Sequence, residues 1–276
     1  MIRDIVVNVS LAPNRDVATD FAISMGRAYE AHVAGVAFQY DPLVALVAMD
    51  GIPADIIESQ RLESEQAAKA AAARFEDVAR SASVSADSRI IEATVGVAAS
   101  RFARIARRFD LSVIGQADPD RTGPEELIIE GALFESGRPV LIVPYIHKAG
   151  LKVERIMLCW DGSRNAARAA ADAMPFFKRS KLVEVFVVDS DRPKSDELPG
   201  ADIAQHLARH GLNVRATRTV SGDIDIASTI LAHAADSGAD LLVMGGYGHS
   251  RLREFVLGGA TRGILASMTV PTLMSH

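Results

Sequence analysis

Short apolar runs alternate along the chain with longer segments in which apolar residues recur every three or four positions. The short runs are rich in Val, Ile and Leu and are bounded by Gly, Asp or Pro, a pattern typical of strands covered on both faces of a parallel sheet. The longer segments have the period of amphipathic helices. For the second half, the pattern predicts strands near 154–160, 183–189, 212–219, 240–245 and 269–274, with helices over Arg164–Phe177, Ala201–His210, Asp225–Ser237 and Thr261–Ser267.

The same succession of elements occurs twice. Residues 5–10 match residues 156–161 at an offset of 151, and Asp110–Gly115 match Asp240–Gly245 at an offset of 130. The two offsets differ by 21 residues, so the first half carries an insertion, which we place between Asp41 and about Ser83. A duplicated order of strands and helices at fixed offsets indicates two copies of one fold.

Each copy is predicted to be a doubly wound α/β domain with a five-stranded, mostly parallel sheet and helices on both faces. The domains are expected to cover residues 1–147 and 152–276, with Tyr145–Gly150 as the linker. The closing strands, Pro139–Val143 and Val270–Met274, are edge candidates that need covering, so we expect them to pair or pack against each other. The chain would then be a pseudo-dimer, and a further homodimer is compatible with this arrangement.

Composition narrows the function. Lys and Arg number 30 against 35 Asp and Glu, a formal charge of −5, so no basic surplus exists to neutralise a nucleic-acid backbone. Cys159 is the single cysteine, which excludes an intrachain disulfide and a cysteine zinc cluster and favours a reducing, cytoplasmic compartment. The apolar run at 43–49 is too short to span a bilayer, and the N-terminus lacks the pattern of a secretion signal.

The segment after the fourth strand of the second half is rich in glycine. Gly245 and Gly248 follow that strand, and Gly258 and Gly259 open the last helix. Ligands of doubly wound sheets bind at the carboxyl ends of strands, where a helix N-terminus offers free N–H groups to an anion. Glycine lets the backbone approach a phosphate, and positive charge nearby is supplied by Arg251, Arg253 and Arg262. The pattern predicts a phosphate-binding loop.

Two common phosphate motifs do not fit this loop. The Lys-Ser or Lys-Thr pair of a Walker A motif is absent, and Arg251 stands where a dinucleotide fingerprint requires its third glycine. The spacing of Gly245, Gly248 and Gly258 instead resembles the ATP-binding signature of the universal stress protein family, and the duplication is similar to its tandem type. The resemblance implies ATP as the ligand, accompanied by Mg²⁺.

The resemblance also assigns roles to residues outside the glycine positions. Asp161, which ends the first strand of the second half, would lie against the nucleoside, and Val187 on the next strand would lie near the adenine. Gly259 occupies a position where the family commonly has Ser, so phosphate contacts would come from backbone N–H groups or from Thr261. The remaining residues expected at the site are His249, in the loop, and Ala260, in the first turn of the helix.

The equivalent site in the first half lacks these features. Ser10 replaces the aspartate, Asp118 replaces the second glycine and Glu130 replaces the third. Two carboxylates would repel a triphosphate, so we expect one ATP site per chain, in the second half.

Simpler interpretations stay open for several of these residues. The glycines could serve turn geometry alone, and Asp161 could be an ordinary helix cap. His206 and His210 lie four apart on one helix and could bind a metal, but no third ligand of matching spacing follows.

The sequence therefore favours an ATP-binding universal stress protein that acts as a regulatory or sensor module, with at most weak ATP hydrolysis. One alternative is a structural or interaction module without nucleotide. The other is an ATP-cleaving enzyme, whose usual Ser-Gly-Gly-x-Asp-Ser loop is absent from this sequence.

Overall fold

The structure, a computed structural model, describes residues 1–13, 15–41, 54–120, 123–189, 200–222, 224–246 and 259–276. Strands and helices alternate through these ranges, which confirms the α/β class and the repeated succession of elements. Contacts divide the chain into two compact units. The first is Met1–Gly115 with Thr122–Arg138, and the second is Gln116–Arg121 with Pro139–His276.

The first unit contains a parallel sheet with the strand order β3-β2-β1-β4. Ile5, Val6 and Val7 on the central strand β1 are all fully buried. Because successive side chains point to opposite faces, both faces of this sheet are covered. The elements are β1 (Asp4–Asn8), α1 (Val17–Tyr29), β2 (His32–Tyr40), α2 (Ala54–Ser81), β3 (Ala86–Ala93), α3 (Val95–Ala106), β4 (Leu111–Gly115) and α4 (Glu125–Glu135).

The described part of the second unit has the strand order β5-β10-β9-β6-β7-β8. The last five of these strands are parallel, whereas β5 is antiparallel to β10, with Ile142 opposite Thr272. This pairing confirms the expected contact between the closing strands of the two copies. The elements are β5 (Val140–Val143), β6 (Arg155–Cys159), α5 (Arg164–Asp172), α6 (Met174–Phe177), β7 (Leu182–Asp189), α7 (Ala201–Arg209), β8 (Val214–Val220), α8 (Ile226–Ser237), β9 (Leu241–Gly245), α9 (Gly259–Ser267) and β10 (Thr272–Ser275).

One predicted helix is divided in the structure, and one helix differs in length between the two copies. The helix predicted over Arg164–Phe177 is divided at Ala173 into α5 and α6. Pro175 has no N–H to continue the ladder of α5, which explains the division. Helix α2 has 28 residues and its counterpart α7 has nine, so the longer helix accounts for most of the insertion predicted in the first half. Among the described residues, no helix combines the length and the apolarity needed to cross a membrane.

A buried polar network fixes the middle of β7. Glu184 is only 2% exposed, and its Oε1 accepts a hydrogen bond from the hydroxyl of Thr217 at 2.5 Å and lies 3.1 Å from Nε2 of His233. The ring of His233 also stacks on Phe186, with centroids 4.1 Å apart. Burial by itself raises the pKa of the Glu184 carboxyl. The hydrogen bonds of Thr217 and His233, together with the charge of Arg215, lower that pKa by a larger amount, so that the pKa lies below its usual value.

We expect the Glu184 carboxylate to stabilise the fold in a pH-dependent way. Because its pKa is lower in the folded than in the unfolded chain, its contribution is complete above the unfolded value of about 4.3 and is lost as the pH falls through the folded value. In urea unfolding, Glu184→Gln should therefore lower the free energy of unfolding at pH 7, and the difference from wild type should shrink below about pH 4. A difference that is constant down to pH 3 would contradict this role.

Candidate functional site

The carboxyl ends of β6 and β9 lie side by side in the second unit. Cys159 on β6 is opposite Met244 on β9 and, on the other side, opposite Phe186 on β7. The chain leaves β6 towards β7 and leaves β9 in the opposite direction, towards β10. The order of the sheet therefore reverses between β6 and β9, and such a reversal opens a ligand-binding crevice in doubly wound sheets.

Asp161 lies two residues after the end of β6, at the carboxyl end of the sheet, and its side chain is exposed. Its Oδ1 accepts a hydrogen bond from the backbone N–H of Ser163 at 2.9 Å, and the Ser163 hydroxyl accepts one from the N–H of Ala166 at 3.1 Å. Ser163, rather than Asp161, is the N-cap of α5. Asp161 therefore shapes the turn into the helix and still presents a carboxylate to solvent.

Cys159, two residues earlier, is not a reactive thiol. Burial and the neighbouring negative charge of Asp161 raise the pKa of its thiol to about 12. Because the thiolate is the nucleophilic form, the side chain is inert near neutral pH. The residue is half-buried, and its role is that of a small packing residue at the end of β6.

Val187, on β7, provides an apolar surface one strand away from Asp161. It is 6% exposed, and it packs against the start of α7. Gly200 precedes that helix with a φ of +86°, and a Cβ there would come within 2.9 Å of Cγ2 of Val187. Glycine at position 200 therefore allows α7 to begin close to the strand.

Gly245 ends β9 against the first turn of α5. A Cβ at this position would lie 2.6 Å from the backbone N of Ala166 and 2.7 Å from the backbone C of Asn165. No side chain fits there without moving the helix, so packing alone requires this glycine. Sequence reasoning interpreted Gly245 chiefly as a phosphate residue, and the structure adds an architectural reason that does not depend on a ligand.

Two residues that sequence reasoning did not identify hold the start of the glycine-rich loop. Nδ2 of Asn165, a buried residue, donates a hydrogen bond to the carbonyl oxygen of Gly246 at 2.7 Å, and Nδ1 of His276 lies 3.1 Å from the same oxygen. The N–H of Gly246 in turn donates to the carbonyl of Ser275 at 2.8 Å. These contacts join residues far apart in the sequence, and no local motif could have indicated them.

The start of α9 faces the solvent at its first residue. Gly259 is exposed, Ala260 is half-buried and Thr261 is buried at 4% exposure. A backbone N–H at Gly259 or Ala260 is therefore more accessible to a ligand than the Thr261 hydroxyl. The other predicted members of the loop, Gly248, His249 and Gly258, lie outside the described residues.

In the first unit, the helix that corresponds to α5 is α1, and a carboxylate caps its N-terminus. The Asp16 carboxylate at the N-terminus of α1 accepts hydrogen bonds from the N–H groups of Ser10, Ala18 and Thr19 and from the Thr19 hydroxyl. Its negative charge occupies the positive end of the helix dipole, where an anion would otherwise bind. In the second unit the corresponding cap is the neutral Ser163.

A cavity of about 240 Å³ lies beside Asp16, between α1 and α2. Arg15 on its wall is paired with Asp20 at 2.5 Å, and Arg74 donates to the carbonyl oxygen of Ala12 at 2.8 Å. Both arginines therefore make contacts within the protein, Arg15 with α1 and Arg74 with the loop that precedes α1. The loss of a nucleotide site in the first copy stays a prediction.

His206 on α7 and His210, which caps the C-terminus of that helix, lie close together. The rings of His206 and His210 are 4.8 Å apart in an edge-on arrangement. Over the described ranges, no group of three His, Cys, Asp or Glu side chains could hold a metal ion.

Comparison with known proteins agrees with this architecture. The model of the Universal stress protein family matches residues 152–276. A universal stress protein of Synechocystis is 24% identical over an alignment of 142 residues, and the match covers 49% of this chain and 46% of the length of that relative.

Two solved structures cover almost the whole chain. A universal stress protein from Archaeoglobus fulgidus is 14% identical, with a TM-score of 0.71, and the superposition covers 99% of this chain and 97% of that one. A functionally unknown protein from Pseudomonas aeruginosa is 12% identical, with a TM-score of 0.58 and coverages of 99% and 92%. At these identities the likeness concerns the fold, which both proteins share with this chain over both copies.

Proposed function

We propose that residues 152–276, which the model of the universal stress protein family matches, bind ATP and act as a cytoplasmic, stress-related regulatory or sensor module. The observation that carries the proposal is the reversal of strand order between β6 and β9, with the exposed Asp161 carboxylate two residues after the end of β6. An acceptor for the ribose hydroxyls, an apolar surface for the base and N–H donors for the phosphates together suit an adenine nucleotide.

Each part of the nucleotide has a matching group. The Asp161 carboxylate accepts hydrogen bonds from the ribose hydroxyls, and Val187 contacts the base. The phosphates bind the N–H groups of Gly258, Gly259 and Ala260, of which the last two lie in the first turn of α9, at the positive end of its dipole. Thr261 and His249 complete the set of residues proposed for the phosphate end of the site.

Mg²⁺ fits this site as a companion of the phosphates rather than as a tightly held structural ion. The exposed Asp161 carboxylate is a suitable oxygen ligand, and Mg²⁺ commonly takes one or two carboxylates together with phosphate oxygens and water. The described residues provide no cluster of three ligands that would hold the ion without nucleotide. When bound, the ion would neutralise phosphate charge.

An interaction module without nucleotide is the second candidate, favoured by one observation. Gly245 is required by the packing of α5 on β9, so one of the three signature glycines has a reason independent of ATP. Mass spectrometry of small molecules released from freshly purified protein distinguishes the candidates. ATP supports the sensor, AMP with pyrophosphate indicates an ATP-cleaving enzyme, and no nucleotide favours the interaction module.

We expect calorimetry on the full chain to give one ATP per chain. Asp161→Ala should weaken binding about 10- to 100-fold, because it removes hydrogen bonds to a charged group worth about 1.5–3 kcal/mol. Ser10→Ala, at the corresponding position of the first copy, should leave the affinity unchanged. Two equivalent sites, or a loss of affinity in Ser10→Ala, would show that the first copy also binds nucleotide.

We further propose that the two copies form a pseudo-dimer within one chain. The antiparallel pairing of β5 with β10, contributed by the closing strands of the two copies, supports this arrangement. Light scattering of the purified protein tests whether a homodimer forms in addition.

A further inference from the structure

Gln116 makes contacts that its position in the repeat does not predict. Aligning Gly115 with Gly245 places Gln116 opposite Gly246, at the start of what would be the phosphate loop of the first copy. It is 4% exposed, and it belongs to the second compact unit. Its backbone N–H donates to the carbonyl oxygen of Val143 at 2.8 Å, which anchors the residue beside β5.

The side chain of Gln116 binds the last turn of α9. Its Nε2 donates to the carbonyl oxygen of Leu265 at 2.9 Å and lies 3.3 Å from that of Ala266, and its Oε1 accepts from the N–H of Tyr145 at 3.3 Å. The last carbonyls of a helix have no partners within the helix. Gln116 therefore caps the C-terminus of α9 from 149 residues away in the sequence.

Helix α9 connects this contact to the proposed phosphate site. It has nine residues, so at 1.5 Å per residue its ends are about 13 Å apart. Along one side it packs closely on α8, because a Cβ at Gly263 would lie 2.5 Å from Cβ of Ala227. The close side contact limits tilting of the helix, and the hydrogen bonds of Gln116 oppose its movement along its axis. The position of the first N–H groups of α9 thus depends on the hydrogen bonds that Gln116 makes to the last carbonyl groups of the same helix.

We propose that Gln116 is a positioning residue for the nucleotide site, and the inference rests on the ATP-binding function proposed above. The segment after β4 has lost the glycines that a phosphate site in the first copy would need, and it holds the phosphate-binding helix of the second copy in place. A site that is correctly placed only part of the time binds with an affinity reduced by that fraction. Loss of the Gln116 contacts should therefore weaken ATP binding without any change in the residues that touch ATP.

Two variants of the full chain test the inference by calorimetry and by hydrogen exchange of the α9 amides. Gln116→Met keeps the length of the side chain and removes its hydrogen bonds, so we expect ATP binding to weaken about tenfold and α9 to exchange faster. Gln116→Glu can donate to a carbonyl only when its carboxyl group is protonated. Burial and the neighbouring carbonyl oxygens of Leu265 and Ala266 would raise the pKa of this carboxyl above the ordinary value of about 4.3, so its affinity relative to wild type at the same pH should be closer to normal at pH 5 than at pH 8, where it should be about tenfold weaker.

Gln205→Met is the matched control, because Gln205 is an exposed residue of α7, and its affinity for ATP should equal that of wild type. If wild type binds ATP and folded Gln116→Met binds it equally well, Gln116 is a purely structural residue and the inference is wrong. If Gln116→Met fails to fold, Gln116→Glu decides, since an affinity ratio that does not change with pH overturns the inference. If wild type itself binds no adenine nucleotide, the proposed function fails first.

Discussion

Gly258→Val should weaken ATP binding at least about 100-fold while the protein remains folded. Gly258 directly precedes α9, whose first residue is exposed, and a β-branched side chain there would occupy the space needed by the phosphates. Two or three hydrogen bonds to a charged ligand would be lost, each worth about 1.5–3 kcal/mol. Calorimetry with ATP measures the effect, and circular dichroism establishes that the fold is retained.

Glu130→Val is the control for this substitution. Glu130 occupies the matching position of the first copy, on α4, where burial and the neighbouring Glu126 raise the pKa of its carboxyl. We propose no phosphate site there, so the affinity should be unchanged. If folded Gly258→Val binds ATP as well as wild type does, the glycine-rich loop is only a turn and the nucleotide assignment is wrong.

Gly245→Ala, at another glycine of the same motif, should chiefly lower the stability of the fold, whereas Gly258→Val should chiefly lower the affinity for ATP. The added Cβ would lie within 2.6–2.7 Å of backbone atoms of Ala166 and Asn165, and these atoms cannot move without displacing the N-terminus of α5. Overpacking of this kind costs about 1–3 kcal/mol, and backbone neighbours place the substitution at the upper end of that range. Chemical denaturation should show a correspondingly lower midpoint.

The duplicated fold provides a matched control for Gly245→Ala. At Gly115, the equivalent residue of the first copy, the nearest atom to an added Cβ is Cβ of Ala18 at 3.9 Å, an ordinary contact. Gly115→Ala should therefore change the free energy of unfolding by less than about 1 kcal/mol. Equal destabilisation by the two substitutions would show that helix packing is not the reason for glycine at position 245.

The fold could be predicted because its signals are local and occur twice. The predicted strand 183–189 differs from β7, Leu182–Asp189, by one residue, since a buried parallel strand is a continuous apolar run with clear ends. The division of the helix after Asp172 was missed because the helical period continues through Pro175. Periodicity indicates which face is buried, but not where one proline interrupts the hydrogen bonds.

The candidate site could be predicted in part, for the same physical reason. Asp161 and Gly245 can be predicted because each lies at or just beyond the end of a strand, and the carboxyl ends of parallel strands meet at one edge of the sheet. Asn165 and Gln116 were not identified, because their contacts join residues 81 and 149 positions apart. Such contacts depend on the packing of helices against strand ends, and a single sequence does not encode that packing in a short motif.

The pairing of β5 with β10 places residues before 152, the predicted start of the second domain, in the second compact unit. The strand that closes the first copy is the outer neighbour of β10, and it belongs by its contacts to the second unit. A fragment that starts at residue 152 would keep β10 and lose this neighbour, leaving the N–H and C=O groups along one side of Thr272–Ser275 without partners. An open strand of this kind is a template for pairing with another chain. The compact unit that contains the second copy therefore includes a strand from the first copy.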